Sequence, residues 1–290
     1  MAIHHTRPCL LLALSIWVTG SAIAEPTMVW KTEGLKNPES VVLDADRSVL
    51  FVSNVGGPPM EKNGAGHISR LSPDGAVVDA EWVTGLNAPT GLIQNGNTLY
   101  VPDIDRLVAI NVESGEIVGT WDGEGATFLN DLAMDESGRI YASDMVNNAI
   151  YVLDGDSFGV WLQDSALDNP NGLRVEGDRL LVASWGAMKD DFSTEIPGHL
   201  KAVDLNTKAI TSVSDGTPIG NLDGLEPDGQ GGWLVSDWVA GGVFRINADG
   251  SFEQVIDLDS GSADIEYVES ESLLLVPMMK DGTLAAYRLE

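Results

Sequence analysis

The chain has 290 residues, a length that suits one large domain or two small ones. Acids outnumber bases 44 to 16, for a formal charge of −28, which excludes the basic faces that nucleic acid and anionic membranes require. Hydrophobic residues make up 43% of the chain, enough for a sizeable core, and the single cysteine, Cys9, excludes a disulfide framework or a thiolate zinc cluster.

The first segment reads as a secretory signal. Arg7 lies in a short positive region, Leu10 to Val18 is almost wholly apolar, and Ala22-Ile23-Ala24 supplies the small residues of a cleavage site. An apolar run of about nine residues is too short to cross a bilayer, which takes roughly 20. Residues 1–24 are therefore expected to be removed, leaving a cysteine-free domain of residues 25–290 in the periplasm or outside the cell. Such a domain relies on packing, and on oxygen-bound cations where it holds any.

The remaining chain repeats six times. Segments beginning Glu39-Ser40-Val41, Thr90-Gly91-Leu92, Asn130-Asp131-Leu132, Asn171-Gly172-Leu173, Asp223-Gly224-Leu225 and Asp264-Ile265-Glu266 follow one another at steps of 51, 40, 41, 52 and 41 residues. A second series, Ser53-Asn54, Pro102-Asp103, Ser143-Asp144, Ser184-Trp185, Ser236-Asp237 and Pro277-Met278, keeps steps of 49, 41, 41, 52 and 41. Short β-rich runs such as Leu99-Tyr100-Val101 and Ile140-Tyr141-Ala142 lie between turns such as Ser72-Pro73-Asp74-Gly75. Sustained helical periodicity is absent. Four strands per repeat predict an all-β, six-bladed β-propeller. The last repeat has room for only three strands, so the run around Met28 to Lys31 is expected to complete it and close the ring. Trp82, Trp121 and Trp161 fall in the fourth strands, where inter-blade packing is their expected role.

The first strand of a blade lines the channel. The first series therefore predicts a ring of Glu39, Thr90, Asn130, Asn171, Asp223 and Asp264 at one mouth. Converging carboxylates repel unless one is protonated or a cation neutralises them. The oxygens of Glu39, Asn130, Asn171 and Asp223 match the donors that Ca²⁺ takes. Asn, Asp and Gly are also common where strands begin after turns. The second series adds Asn54, Asp103, Asp144 and Asp237 farther out. The two long steps mark insertions, Val55 to Gly66 and Gly186 to Gly198, which face each other across a ring of six. Long loops often bind ligands, although loop length also drifts without function.

These residues together resemble the SMP-30/gluconolactonase/LRE-like superfamily. The resemblance is carried by Asn37-Pro38-Glu39-Ser40-Val41, Asn130-Asp131-Leu132, Asn169-Pro170-Asn171-Gly172-Leu173 and Leu222-Asp223-Gly224-Leu225. It implies a pore-floor Ca²⁺, or alternatively Zn²⁺ or Mn²⁺, on Glu39, Asn130, Asn171 and Asp223. It implies Asp223 as catalytic base or nucleophile, with Asp264 as the competing base, and Glu226 and Asp264 as candidates near a second ion. Thr90, Asp103, Arg106, Asp144, Trp185 and Asp237 are candidate substrate contacts. Two departures stand out: Ser40 follows the first Glu where the family has a Pro-Gly or Gly-Pro, and His67 and His199 lie at insertion edges instead of on the ring. The expected function is hydrolysis of a small lactone or ester; a non-catalytic binding propeller with a structural pore metal is the alternative. The expected partner is a small molecule, with neither nucleic acid nor, after signal cleavage, a membrane involved.

Overall fold

β-Branched and aromatic runs between Gly, Asn and Asp turns favour short antiparallel strands. The computed structural model describes residue 1, residues 26–189 and residues 192–289. Apart from residue 1, the segment expected to be a secretory signal, Cys9 included, lies outside the described residues. Six four-stranded antiparallel sheets form the blades of a β-propeller. Among the described residues helix is confined to two single turns, Ser165–Leu167 and Glu269–Glu271.

Blade one runs outward through Pro38–Asp44, Val49–Asn54, Gly66–Leu71 and Val77–Leu86. The inner strands of blades three, four and five are Leu129–Met134, Pro170–Glu176 and Leu222–Pro227. Blade six takes three strands from the C-terminal end and its outermost strand, Thr27–Glu33, from the other end of the domain. This is the closure that the short last repeat implied. Trp30 and Thr32 fasten it to blade one: the Thr32 hydroxyl donates to the carbonyl of Gly75, and a Cβ on Gly75 would lie 2.5 Å from the Trp30 ring. Beneath them Leu273, Leu275 and Leu284 of blade six pack with Val41, Leu50 and Val52 of blade one. Each such side chain, fully buried, contributes about 1.5–3 kcal/mol. Trp82 meets Phe51 at 4.9 Å and Trp161 meets Tyr141 at 5.2 Å within their own blades, and each packs against a core cluster shared with the next blade, the inter-blade role expected of them.

Every inner strand begins with one extra residue. In blade one Pro38 faces Asn54 and Val41 faces Val52, so Glu39 and Ser40 together oppose Ser53. The same shift occurs at Leu129/Leu132, Pro170/Leu173 and Leu222/Leu225. A bulge of this kind breaks the two-residue alternation and re-aims side chains next to sites. It also fixes the true register. Ser262 pairs with Met278 as Pro38 pairs with Asn54, so Ala263, and not Asp264, is the sixth ring residue. Pro170 pairs with Ser184, so Ser184, and not Trp185, is the counterpart of Asn54 and Asp103.

The inner strands crowd the axis so closely that three of the six second positions are glycine. A Cβ on Gly172 would lie 2.0 Å from the carbonyl oxygen of Asp223, and one on Gly224 2.4 Å from the nitrogen of Ile265. Gly172→Ala is expected to destabilise the protein by more than about 2 kcal/mol through overpacking. Gly159→Ala, whose Cβ meets nothing within 4 Å, should stay within about 0.5 kcal/mol of the parent. Thermal melts of the two variants check the difference; equal melting temperatures would refute the crowding argument.

Candidate functional site

A cavity of about 460 Å³ opens where the inner strands begin. Its floor is made by Glu39, Asn130, Asn171 and Asp223, the second residues of four inner strands, and by Thr90, which precedes the inner strand of blade two, Ile93–Asn95. The bulges bring these predicted side chains to one place. All five are buried. Asn171 donates a side-chain hydrogen bond to Asp223, while Thr90 donates its hydroxyl to the carbonyl of Leu129.

Three oxygens on this floor lack partners. Glu39 Oε2, Asn130 Oδ1 and Asn171 Oδ1 are buried without a hydrogen bond. A buried unsatisfied acceptor ordinarily costs about 1–3 kcal/mol. Three in one cavity, from three blades, form an arrangement that folding alone does not favour. Among the described residues no group of three or more His, Cys, Asp or Glu side chains is gathered as a metal would need. The floor instead offers two carboxylates and two carboxamides. These are hard oxygens, which suit Ca²⁺; Zn²⁺ prefers nitrogen and sulfur.

A second tier lies at the next residue of each strand. Ser40 binds three blades at once: its hydroxyl donates to Asp264 Oδ2 at 2.5 Å and accepts the Leu92 N–H at 3.1 Å. The departure at Ser40 is thus a structural link. Asp131 accepts the N–H groups of Leu132 and Leu173 at 2.7 and 2.6 Å. Asp264 and Asp131 line a larger cavity of about 820 Å³ at the opposite end of the channel, together with Glu226, Glu266 and Arg174. Asp264 thus stands on the far side of the floor from Glu39 and Asp223.

Burial dominates the electrostatics. It raises the Glu39 carboxyl well above the usual range, and Asp223, Asp264 and Asp131 push it further by repulsion. Burial and Asp264 raise Asp223, while the Asn171 amide pulls it back. Burial, and next Asp264, raise Asp131 against the opposing pull of its two N–H donors. Burial pushes Asp264 up to about 7 despite the Ser40 hydroxyl. In the lower channel Arg174 donates to Glu226 at 3.1 Å and offsets part of the rise in Glu226 and Glu266.

The outer acids serve the loops. Asp103 accepts the N–H groups of Asn87 and Ala88, both at 2.8 Å, and is bound by Arg106. Asp144 accepts from Thr127 and Phe128, and Asp237 from Val239 and Ala240. None of these four predicted contacts, Asp103, Arg106, Asp144 and Asp237, lines the upper cavity. His67 contacts the Ala65 carbonyl and His199 the Ser212 hydroxyl, both away from the floor.

Of the cavity wall the sequence reading found Trp185 and the two insertions, and missed the rest. One residue beyond the second series, Val55, Met145, Trp185, Trp238 and Met279 form an apolar collar. The blade-two counterpart, Ile104, packs with Val55 and Ala88. Its signal was present as a third series offset by one residue. Both insertions reach this wall, the first through Pro59 and the second through Phe192.

The family model described as the SMP-30/Gluconolactonase/LRE-like region matches residues 37–263. The chain belongs to the SMP-30/gluconolactonase/LRE-like family. Among solved structures it is similar to virginiamycin B lyase from Staphylococcus aureus, at 13% identity and a TM-score of 0.61, covering 92% of this chain and 100% of that one. It is also similar to a gluconolactonase from Xanthomonas campestris, at 15% identity and a TM-score of 0.58, covering 93% and 99%. A third structure, provisionally assigned as a gluconolactonase, gives 18% identity and a TM-score of 0.66 over 92% of each chain. At these identities the likeness is one of fold. No curated protein matches the chain.

In this SMP-30/gluconolactonase-like propeller the buried acids predict an unusual pH response. The folded pKa of Asp264, about 7, lies above its ordinary 3.8. Its contribution to stability is therefore complete below about pH 4 and is lost as pH rises through about 7. Chelator-treated protein should lose melting temperature across that window, and Asp264→Asn should flatten the fall. Melting temperatures that hold constant or rise over the window would contradict it.

Proposed function

We propose that the protein is an exported, metal-dependent hydrolase of a small lactone or ester, with Ca²⁺ as the resident ion. The observation that carries this reading is the convergence of the unpartnered oxygens of Glu39, Asn130 and Asn171 beside Asp223 on one cavity floor. Membership of a family that includes gluconolactonases supports the reaction class. Export rests on the sequence of residues 1–24.

Glu39, Asn130, Asn171 and Asp223 would hold the ion. When bound, a divalent cation supplies Lewis-acid polarisation of the substrate carbonyl and keeps neighbouring carboxylates ionised. The protein's own groups supply the rest. The Asn171 amide fixes Asp223 by a hydrogen bond, leaving the carboxylate to accept the proton of an attacking water. The collar of Trp185, Trp238, Met145 and Met279 excludes bulk water above the floor. Asp264, held by Ser40, braces the floor from the other side of the channel.

A binding module whose metal only braces the channel is the competing reading. It is favoured by the positions of His67 and His199, which leave Asp223 as the base without a histidine partner at the cavity.

Calorimetric titration with Ca²⁺, run beside hydrolysis of a panel of lactones and aryl esters, separates the two. Asp223→Asn is expected to lower kcat by about 100-fold or more. Glu39→Ala should abolish calcium binding, and EDTA should abolish turnover. Calcium binding with no turnover of any lactone or ester would establish the binding module instead. N-terminal sequencing of exported protein is expected to begin at Glu25, and retention of residues 1–24 would refute the export assignment.

A further inference from the structure

The polar groups of the upper cavity are concentrated on its floor, and its wall is aromatic and sulfur-rich. Trp185 and Trp238 pack at 5.8 Å. Phe192, from the blade-four insertion, meets Phe128 edge to face at 6.4 Å and 88°. Met145 packs in one cluster with Phe128, Trp185 and Trp238, and Met279 lines the cavity from the cluster of Val55, Ala88 and Ile104. Among the described residues no Lys, Arg or His lines this space. Lys280 stacks on Trp238 at 4.2 Å and donates to Ser260 without joining the lining.

Resting on the hydrolase reading above, we propose that the substrate is a neutral lactone or ester carrying an alkyl chain or aromatic ring, and not a polyhydroxylated or anionic one. A sugar lactone would bring hydroxyls against the faces of Trp185, Trp238 and Phe128, where they would give up water for no hydrogen-bond partner. With Glu39 and Asp223 balancing the charge of the bound ion, an anionic substituent would find no cationic side chain in the described lining to pair with. An apolar substituent meets neither obstacle. It replaces water on the aromatic faces, and the flexible methionines repack around it. About 460 Å³ is within the usual range for a small-molecule site. The scissile carbonyl then lies on the floor, where the carboxylates and carboxamides of the described lining are gathered, and the chain points up between the insertions.

The test is a series of γ-lactones, from γ-butyrolactone to γ-undecalactone, with glucono-δ-lactone beside them, on the calcium-loaded full domain. KM is expected to fall by about fourfold per added methylene until the cavity is full, the factor that corresponds to about 0.8 kcal/mol per buried CH₂. Phe192→Ala should flatten this dependence. Phe192 is 37% exposed, so its truncation leaves the fold intact. A binding arm separates ligand class from catalysis: an alkyl-substituted cyclopentanone, which has the carbonyl and the chain but no ester bond, should quench Trp185 and Trp238 fluorescence. Turnover with a flat chain-length series, or preference for glucono-δ-lactone, overturns the substrate class and leaves the hydrolase reading standing. Ketone binding that weakens in Phe192→Ala, with no turnover of any ester, supports the apolar ligand class and sinks the hydrolase reading. No ketone binding together with a flat series overturns the substrate class outright.

Discussion

Burying several carboxylates along one axis is the constraint on which the rest of the molecule depends. Glu39, Asp223, Asp131, Asp264, Glu226 and Glu266 line the channel or its two cavities, and among the described lining residues only Arg174 and Arg47 are cationic, Arg47 being paired with Asp44. Two like charges about 4 Å apart repel by about 4 kcal/mol at an effective dielectric of 20. A few such pairs would cancel the 5–15 kcal/mol that holds a domain folded. The channel must therefore be neutralised, by protons on the acids or by a cation among them. Both answers follow from the same geometry, and pH decides between them.

That geometry comes from a small backbone feature. A regular strand would alternate its side chains and send only every second residue to the axis. The extra residue at the head of each inner strand lets two consecutive side chains reach the channel, which produces two tiers from one motif. The upper tier keeps unpartnered oxygens, while the lower tier stitches blades together through Ser40, Asp131 and Asp264. Glycine fills the remaining lower positions because the neighbouring backbone leaves no room for a side chain. The same crowding that stabilises the ring thus decides which blades can contribute an acid.

The propeller was legible in the sequence because its cause is repetitive. Each blade needs the same four strands and turns, so two ladders of short motifs sufficed to count six and to assign Thr27–Glu33 to the last blade. The floor was legible for the same reason, since Glu39, Thr90, Asn130, Asn171 and Asp223 recur in phase. Register was harder. At the head of blade six Ala263 takes the ring position and Asp264 the tier below, and an acidic residue one place late looks like a ring member until the bulge is known. In blade four the Ser184-Trp185 pair hid a similar slip. The outer aspartates were ambiguous for a chemical reason. A carboxylate that accepts loop N–H groups, as Asp103 and Asp144 do, has the same residue type as one that faces a ligand. Only the direction of the side chain separates the two, and composition carries no direction.

The floor and the collar obey different rules, and this bears on how a propeller of this kind acquires a substrate. Floor residues sit on bulged inner strands packed against their neighbours, where Gly172 and Gly224 show that even one added carbon collides with backbone. Changes there threaten the ring itself. Collar residues begin the loops that leave the second strand, and two of those loops are the long insertions that carry Pro59 and Phe192. Loops absorb substitution and length change at little cost to the core. The chemistry that a floor of hard oxygens can support is therefore held fixed by packing, while the shape and polarity presented to the rest of the substrate are free to vary. The likeness of this fold to both a lyase and gluconolactonases at 13–18% identity fits that division. In this chain the described part of that wall is aromatic and sulfur-bearing with no charged side chain, and the proposed apolar substrate class rests on this surface.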